Sequence, residues 1–304
     1  GQNMKLIAFL GLSGTFSEES ARCFFGDAPY TYVPCKLISD VFMSTANGET
    51  DLSVIPVENT IESSVSLHLD WLVHEVDLPI LAEWVYPVDM NLIGRRLPTE
   101  TGGDPADFSH IRKIVSFPVA IAQCRKFLRE RLPHVEIEQA ASTADGVRLV
   151  KESGDSGVAA IGPASAARMY GLDVLAAKIQ DHQDNYTRFI LIGHDPPPLP
   201  PSERYKTTVL VTLPEDYPGA LHQVLSAFAW RRINLSRIES RPTRKKLGSY
   251  YFYIDIEAPP DSVLVPAAIE EIRAIGCHVR ILGSYPSYSL QAVGAGSANE
   301  VSQS

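Results

Sequence analysis

Asn185-Tyr186-Thr187-Arg188-Phe189 places a hydroxyl and a guanidinium at the head of an apolar run, Phe189 to Ile192, where folding alone calls for neither. A positioned hydroxyl can donate to a departing oxygen, and a guanidinium can hold a carboxylate through two parallel hydrogen bonds. A second polar cluster, running from Glu58-Asn59 through Ser64, ends another buried run, Leu52 to Val57. Asn59 there suits either chemistry or the cap of a following helix. Three further run ends carry polar residues. Gly11-Leu12-Ser13-Gly14-Thr15-Phe16-Ser17 leads into Glu18-Glu19, so Ser17 reads as a helix N-cap whose free N–H groups suit an anion, or as the end of a plain glycine turn. Ser116-Phe117-Pro118 opens a helix on which Gln123 lies about one turn in. Ala141-Ser142-Thr143-Ala144-Asp145 is again cap-like, with Thr143 at its centre.

What is missing from the sequence narrows the chemistry. The eight histidines make no pair at metal-ligand spacing, and Cys23, Cys35, Cys124 and Cys277 are widely separated without a C-x-x-C. No metal, nicotinamide or flavin is expected as a cofactor. A net charge of -9 and the absence of a Lys/Arg run argue against nucleic acid. The apolar stretch Leu6 to Leu12 is too short for an export signal and reads as a first strand, and no stretch is long enough to span a bilayer. A cytoplasmic protein with no membrane partner is therefore expected.

The residues that could do chemistry need elements to hold them. Short apolar runs at Leu6–Leu10, Leu52–Val57, Ile80–Val85, Ile114–Ser116, Val135–Glu138, Val158–Ile161 and Phe189–Ile192 alternate with helical patterns. That alternation predicts an α/β fold in which ligands sit beyond the carboxyl ends of strands. A break at Pro98 to Pro105 suggests that this domain has two interleaved lobes. Pro196-Pro197-Pro198-Leu199-Pro200-Pro201 excludes helix and ladder alike and marks a linker. Beyond it the pattern is βαββαβ: strands at Thr207–Leu213, Leu235–Arg241, 249–256 and His278–Leu282, with amphipathic helices through Leu221, Val224, Leu225, Phe228 and through Val265, Ile269, Ile272.

Gly219-Ala220-Leu221 followed by Glu239-Ser240-Arg241-Pro242 resembles the ACT regulatory domain of prephenate dehydratases, and the five polar run ends match that family's catalytic pattern in the same order. The resemblance implies a bilobal α/β catalytic domain similar to a periplasmic binding protein over residues 4–195, a Pro-rich linker at 196–204, a ferredoxin-like ACT domain over 205–288 and a flexible tail at 289–304. It places Thr187, Asn59, Ser116 and Gln123 in catalysis, and Arg188, Glu58, Thr15, Thr143 and Ser64 on the substrate, prephenate. It also places Gly219, Ala220, Leu221, Asn234, Leu235, Glu239, Ser240, Arg241 and Pro242 around an L-phenylalanine effector, in a homodimer or homotetramer joined through ACT domains. The family commonly reads Ser-His-Pro-Gln where this chain has Ser116-Phe117-Pro118-Val119, so no role for that histidine carries over. An arogenate dehydratase, a prephenate decarboxylase and a non-catalytic amino-acid receptor are the alternatives. Glu58 beside a dianion must point away, orient other groups or be protonated by burial.

Overall fold

A computed structural model describes residues 5–11, 13–60, 64–98, 104, 106–214, 218–243, 250–291 and 301–302. The first lobe begins with β1 (Lys5–Leu10), α1 (Phe16–Phe25), β2 (Tyr30–Cys35), α2 (Ile38–Ala46) and β3 (Leu52–Asn59). A 3-10 turn (Ser64–Leu69), α3 (Asp70–His74) and β4 (Ile80–Pro87) follow. The chain then crosses to a second sheet built from β5 (Asn91–Gly94), β6 (Lys113–Ser116), β7 (Glu136–Gln139), β8 (Val158–Gly162) and β9 (Asp173–Ala176). Helices α4 (Pro118–Gln123), α5 (Arg125–Arg131), α6 (Thr143–Ser153) and α7 (Ala164–Met169) connect these strands. It returns to the first sheet as β10 (Tyr186–Gly193).

The two lobes therefore exchange chain twice, after β4 and after β9. The outgoing and returning segments bond each other, Val88 N–H donating to Asn185 O at 2.8 Å and Gln180 Nε2 to Asp89 Oδ1 at 2.9 Å. The proline-rich break near residue 100 lies elsewhere, inside the second lobe between β5 and β6, and residues 99–103 and 105 fall outside the described residues.

Burial explains which runs became strands. β3 is buried along six consecutive residues because α1 and α2 pack against it and β1 and β10 flank it, so it carries no alternation. Its Pro56 lacks an N–H and is tolerated beside a β-bulge, where Arg188 pairs with Glu58 but Phe189 with Pro56. β2 escapes the sequence reading because it lies at the sheet edge, half exposed, with Pro34 inside it. β5 and β9, of four residues each, also escape it. Helix α1 begins at Phe16, so its N-cap is Thr15 rather than the expected Ser17. On α6, by contrast, Ser142 Oγ accepts from Asp145 N–H at 3.0 Å, and Gly154 ends the helix in the left-handed conformation.

The C-terminal unit comprises β11 (Tyr205–Thr212), α8 (Ala220–Ala229), β12 (Asn234–Pro242), β13 (Tyr250–Glu257), α9 (Leu264–Ala274) and β14 (His278–Leu290). Val224, Ala227 and Phe228 of α8 and Val265, Ala268, Ile269 and Ile272 of α9 close over Val209, Val211, Ile254 and Ile256. Burying a side chain such as Phe228 stabilises the unit by about 1.5–3 kcal/mol. One feature departs from two domains joined by a linker. β14 continues to Leu290 and pairs in parallel with β4, Ser287 opposite Glu83, so one sheet runs in the order β12-β13-β11-β14-β4-β10-β3-β1-β2. The expected tail at 289 thus begins inside a strand with Leu290 buried, and residues 292–300 and 303–304 fall outside the described residues.

Candidate active site

Strand β10 begins at Tyr186, three residues before the apolar run, so Thr187 and Arg188 both lie within it and face opposite sides of the sheet. On one side, Asn59 Nδ2 donates to Thr187 Oγ1 at 2.7 Å. That bond occupies a lone pair of the Thr187 oxygen and leaves its own proton free to be donated. The ends of the two strands are clipped together: Tyr186 N–H donates to Thr60 Oγ1 at 3.1 Å, and Thr60 Oγ1 donates to Asn185 Oδ1 at 2.9 Å. Thr187 is buried, so its hydroxyl is largely screened from water.

The second lobe brings its strand ends toward the first. The turn at Gly14, with φ +92°, sits so close that an added Cβ would lie 3.3 Å from Ala166 Cβ and 3.8 Å from Ala144 Cβ. Ser165 N–H, at the start of α7, donates across the gap to Glu19 Oε1 at 3.3 Å. Burial pushes the Glu19 carboxyl up to about 7, against the opposing pull of Arg168, the Ser165 N–H and the Tyr86 hydroxyl. Ser116 is fully buried at the end of β6, its Oγ donating to Phe117 O at 3.2 Å, and Gly146 of α6 lies against its backbone. Thr143 stands in the first turn of α6 and Gln123 closes α4. Among the described residues, buried Thr15 Oγ1 and Gln123 Oε1 have no hydrogen-bond partner, an uncommon state that a bound polar ligand would relieve. Ser116, Gln123 and Thr143 make no hydrogen bond with Thr187; they belong to the opposite lobe. The side chain of Ser64 lies outside the described residues.

Arg188 corrects the sequence reading. Its guanidinium turns away from Thr187 into a buried cluster, paired with Glu83 and, at 3.1 Å, with Asp255 Oδ2 of β13. Tyr285 Oη accepts from it at 3.4 Å, and Thr208 Oγ1 donates to Asp255 Oδ1 at 2.7 Å. Burial alone would raise the Glu83 carboxyl, but Arg188 and Lys206 overturn that and hold it below the usual carboxylate range. Burial would likewise lower Arg188, yet Glu83 and Asp255 keep it charged far into alkali. A guanidinium already shared by two buried carboxylates is not available as a substrate clamp. Glu58 takes the first of its three predicted alternatives: it points away from Thr187, 3.5 Å from Arg188 Nη1.

The expected effector residues also divide by face. A bulge between Leu235 and Arg237 reverses the alternation of β12. Leu235 packs into the core beneath α8 and α9, while Glu239 and Arg241 turn toward the first lobe and pair at 2.9 Å. Asn234 Nδ2 donates to Glu257 Oε2 at 3.0 Å. Ser240 and Pro242 remain on the open face. Gly219 adopts φ +84° as the N-cap of α8, ahead of buried Ala220 and half-buried Leu221. β12 is an edge strand, and Trp230 at the end of α8 is 85% exposed.

The sequence reading missed Glu83, Asp255, Arg237 and Glu19. Glu83 within Ile80-Leu81-Ala82-Glu83-Trp84-Val85 and Asp255 within Tyr253-Ile254-Asp255-Ile256 were the available signals, since a carboxylate inside an apolar strand requires a buried cation.

Fold and site together define a two-lobed α/β protein, continuous through one sheet with a βαββαβ module. Residues 7–197 match the sequence profile of the prephenate dehydratase family, and residues 207–276 that of the ACT domain. The prephenate dehydratase of Bacillus subtilis is 40% identical over 291 residues, covering 93% of this chain and 99% of that protein. Among solved structures, the Arthrobacter aurescens prephenate dehydratase in complex with L-Phe has a TM-score of 0.77 at 36% identity, over 92% of this chain and 89% of that one. A structure described as GqqA, a novel type of quorum quenching acylase, has a TM-score of 0.74 at 27% identity, over 93% of this chain and 98% of that one. The chain belongs to the prephenate dehydratase family and carries an ACT domain.

Among the described residues, no helix is long and apolar enough to cross a membrane.

Proposed function

We propose that the protein converts prephenate to phenylpyruvate, carbon dioxide and water, and that L-phenylalanine regulates it through the ACT domain. The observation that carries the catalytic half is the 2.7 Å contact from Asn59 to Thr187. Prephenate loses its ring carboxylate as carbon dioxide; the electron pair of the broken C–C bond enters the ring and expels the ring oxygen as the system becomes aromatic. That oxygen needs a hydrogen bond as its C–O bond lengthens, and a proton from water completes the balance. Thr187 donates that hydrogen bond while Asn59 fixes the direction of its hydroxyl. With Arg188 withdrawn, the substrate carboxylates fall to the first-turn N–H groups of α6 beside Thr143, together with Thr15, Ser116 and Gln123.

L-Phenylalanine would bind where the open face of β12, with Ser240 and Pro242, meets Gly219 to Leu221 of a second copy. The unpaired strand edge and exposed Trp230 favour that pairing, as a homodimer or a pair of homodimers. The protein is expected in the cytoplasm.

The test is product analysis by mass. Incubation with prephenate should yield phenylpyruvate; retention of the ring hydroxyl would mark a decarboxylase, and turnover only of L-arogenate an arogenate dehydratase. Removal of an acyl group from a quorum signal in place of either would favour the acylase named for one structural relative.

A further inference from the structure

A chain of ion pairs joins the catalytic strands to β12 on the side of the sheet opposite Thr187 and Asn59. Glu58 Oε2 lies 3.5 Å from Arg188 Nη1 and 3.7 Å from Arg237 Nη1. Arg237 pairs with Glu239, and the other oxygen of Glu239 lies 2.9 Å from Arg241 Nη2. Arg241 in turn donates to Ser66 Oγ at 3.0 Å and approaches Asp70 at 3.7 Å. Each upstream member is the sequence neighbour of a site residue: Glu58 precedes Asn59, and Arg188 follows Thr187. Successive side chains on a strand are held to opposite faces, so a pull on Glu58 tilts the peptide that carries Asn59.

We propose that Arg237 is a positioning residue that couples the effector face of β12 to the Asn59–Thr187 pair, by holding or releasing Glu58. This rests on the reading that Thr187 and Asn59 act on prephenate and that L-phenylalanine binds on β12.

The links of the chain differ in kind. Arg188 is enclosed with Glu83 and Asp255 and acts as a fixed anchor. Among the described residues Arg237 Nη1 is buried without a hydrogen bond, and its partner Glu58 is 53% exposed, which makes 3.7 Å a loose contact that water can replace. A displacement of β12 on the order of an ångström is enough to make or break such a link, and small shifts of this size are what a ligand at a subunit interface produces. The bulge at Ser236 gives the sequence its part in this device. Without it Arg237 would face α8, and Ser240 would turn toward the first lobe. A coupling element needs two arrangements that both sites bias, and an ion pair that is either closed or hydrated supplies them.

The experiment uses the full chain and the variants Arg237→Gln, Arg237→Lys and Glu58→Gln. L-Phenylalanine binding is measured by titration calorimetry, and prephenate turnover with and without saturating L-phenylalanine. In the parent, the two turnover rates should differ by about 5–150-fold. Arg237→Gln should keep parental binding of L-phenylalanine and parental turnover without it, while the ratio falls below about 2. Glu58→Gln should lose regulation likewise, the double variant should lose no more than either single one, and Arg237→Lys should retain part of it. Regulation of Arg237→Gln and Glu58→Gln at the parental ratio would overturn the coupling role. A parent that fails to bind L-phenylalanine would overturn the regulatory reading itself, and with it the coupling; a parent without prephenate turnover would overturn the catalytic reading. The three failures are read from separate measurements.

Discussion

Arg188→Ala separates a buried structural cation from a substrate clamp. The guanidinium is paired with Glu83, which is fully buried, and with Asp255, which is nearly so, and its removal leaves two carboxylates facing each other in a low-dielectric interior. Lys206 Nζ at 3.0 Å compensates Glu83 in part, and the Thr208 hydroxyl satisfies one oxygen of Asp255. Glu58 is half exposed and loses little. Breaking a buried pair by removing one partner costs about 3–5 kcal/mol. In a chain of this size that lowers the melting temperature by roughly 5–8 °C. The assay is urea denaturation followed by circular dichroism at pH 7, with kcat and KM measured under native conditions. Adding Glu83→Gln and Asp255→Asn to Arg188→Met should recover most of the loss, since burying an ion pair gives little net stabilisation over uncharged groups of similar shape. An Arg188→Ala protein as stable as the parent within 1 kcal/mol, with KM raised about a hundredfold, would refute the assignment and restore Arg188 to the substrate.

Two further outcomes follow from buried contacts elsewhere. Glu19, raised from 4.5 to about 7 by burial, binds a proton more tightly folded than unfolded, so its contribution to stability should be full below about pH 4.5, fall by about 3 kcal/mol as pH rises toward 7, and level off above it. Glu19→Gln should remove that slope and stabilise the protein at pH 8; urea melts at pH 5, 7 and 8 that stay parallel for parent and variant would contradict it. Gly283 of β14 lies against β4, where an added Cβ would stand 2.4 Å from Ile80 O. Gly283→Ala should therefore cost about 1–3 kcal/mol by forcing the shared sheet apart, and a urea midpoint equal to the parent's would count against that close approach.

Much of the fold was legible because burial and period agree. The runs at β1, β3, β4 and β8 are long, apolar and bounded by turn residues, and α8 and α9 show one-face spacing. Half-exposed β2 and the short β5 and β9 were not. At the site, the pairing of Thr187 with Asn59 follows from two polar strand ends brought side by side by antiparallel β3 and β10, which sequence alone could place on strands but not in register. Arg188 was misjudged for a matter of parity. Its strand begins at Tyr186 rather than Phe189, so adjacent residues point to opposite faces. The bulge in β12 hid Glu239 and Arg241 in the same way, because one extra residue exchanges the two faces of everything after it. For Arg188, the buried carboxylates Glu83 and Asp255 within apolar runs announced that a cation had to come from somewhere.

If Thr187 donates the hydrogen bond under which the ring hydroxyl of prephenate departs, its removal must slow turnover. The measurement is prephenate turnover, followed by phenylpyruvate formation, for the parent, Thr187→Ala and Thr187→Ser. Phenylpyruvate should form with the parent, kcat should fall about 100–1,000-fold in Thr187→Ala with KM little changed, and Thr187→Ser should recover part of the loss. Near-parental turnover by Thr187→Ala, with no advantage for Thr187→Ser, would contradict it.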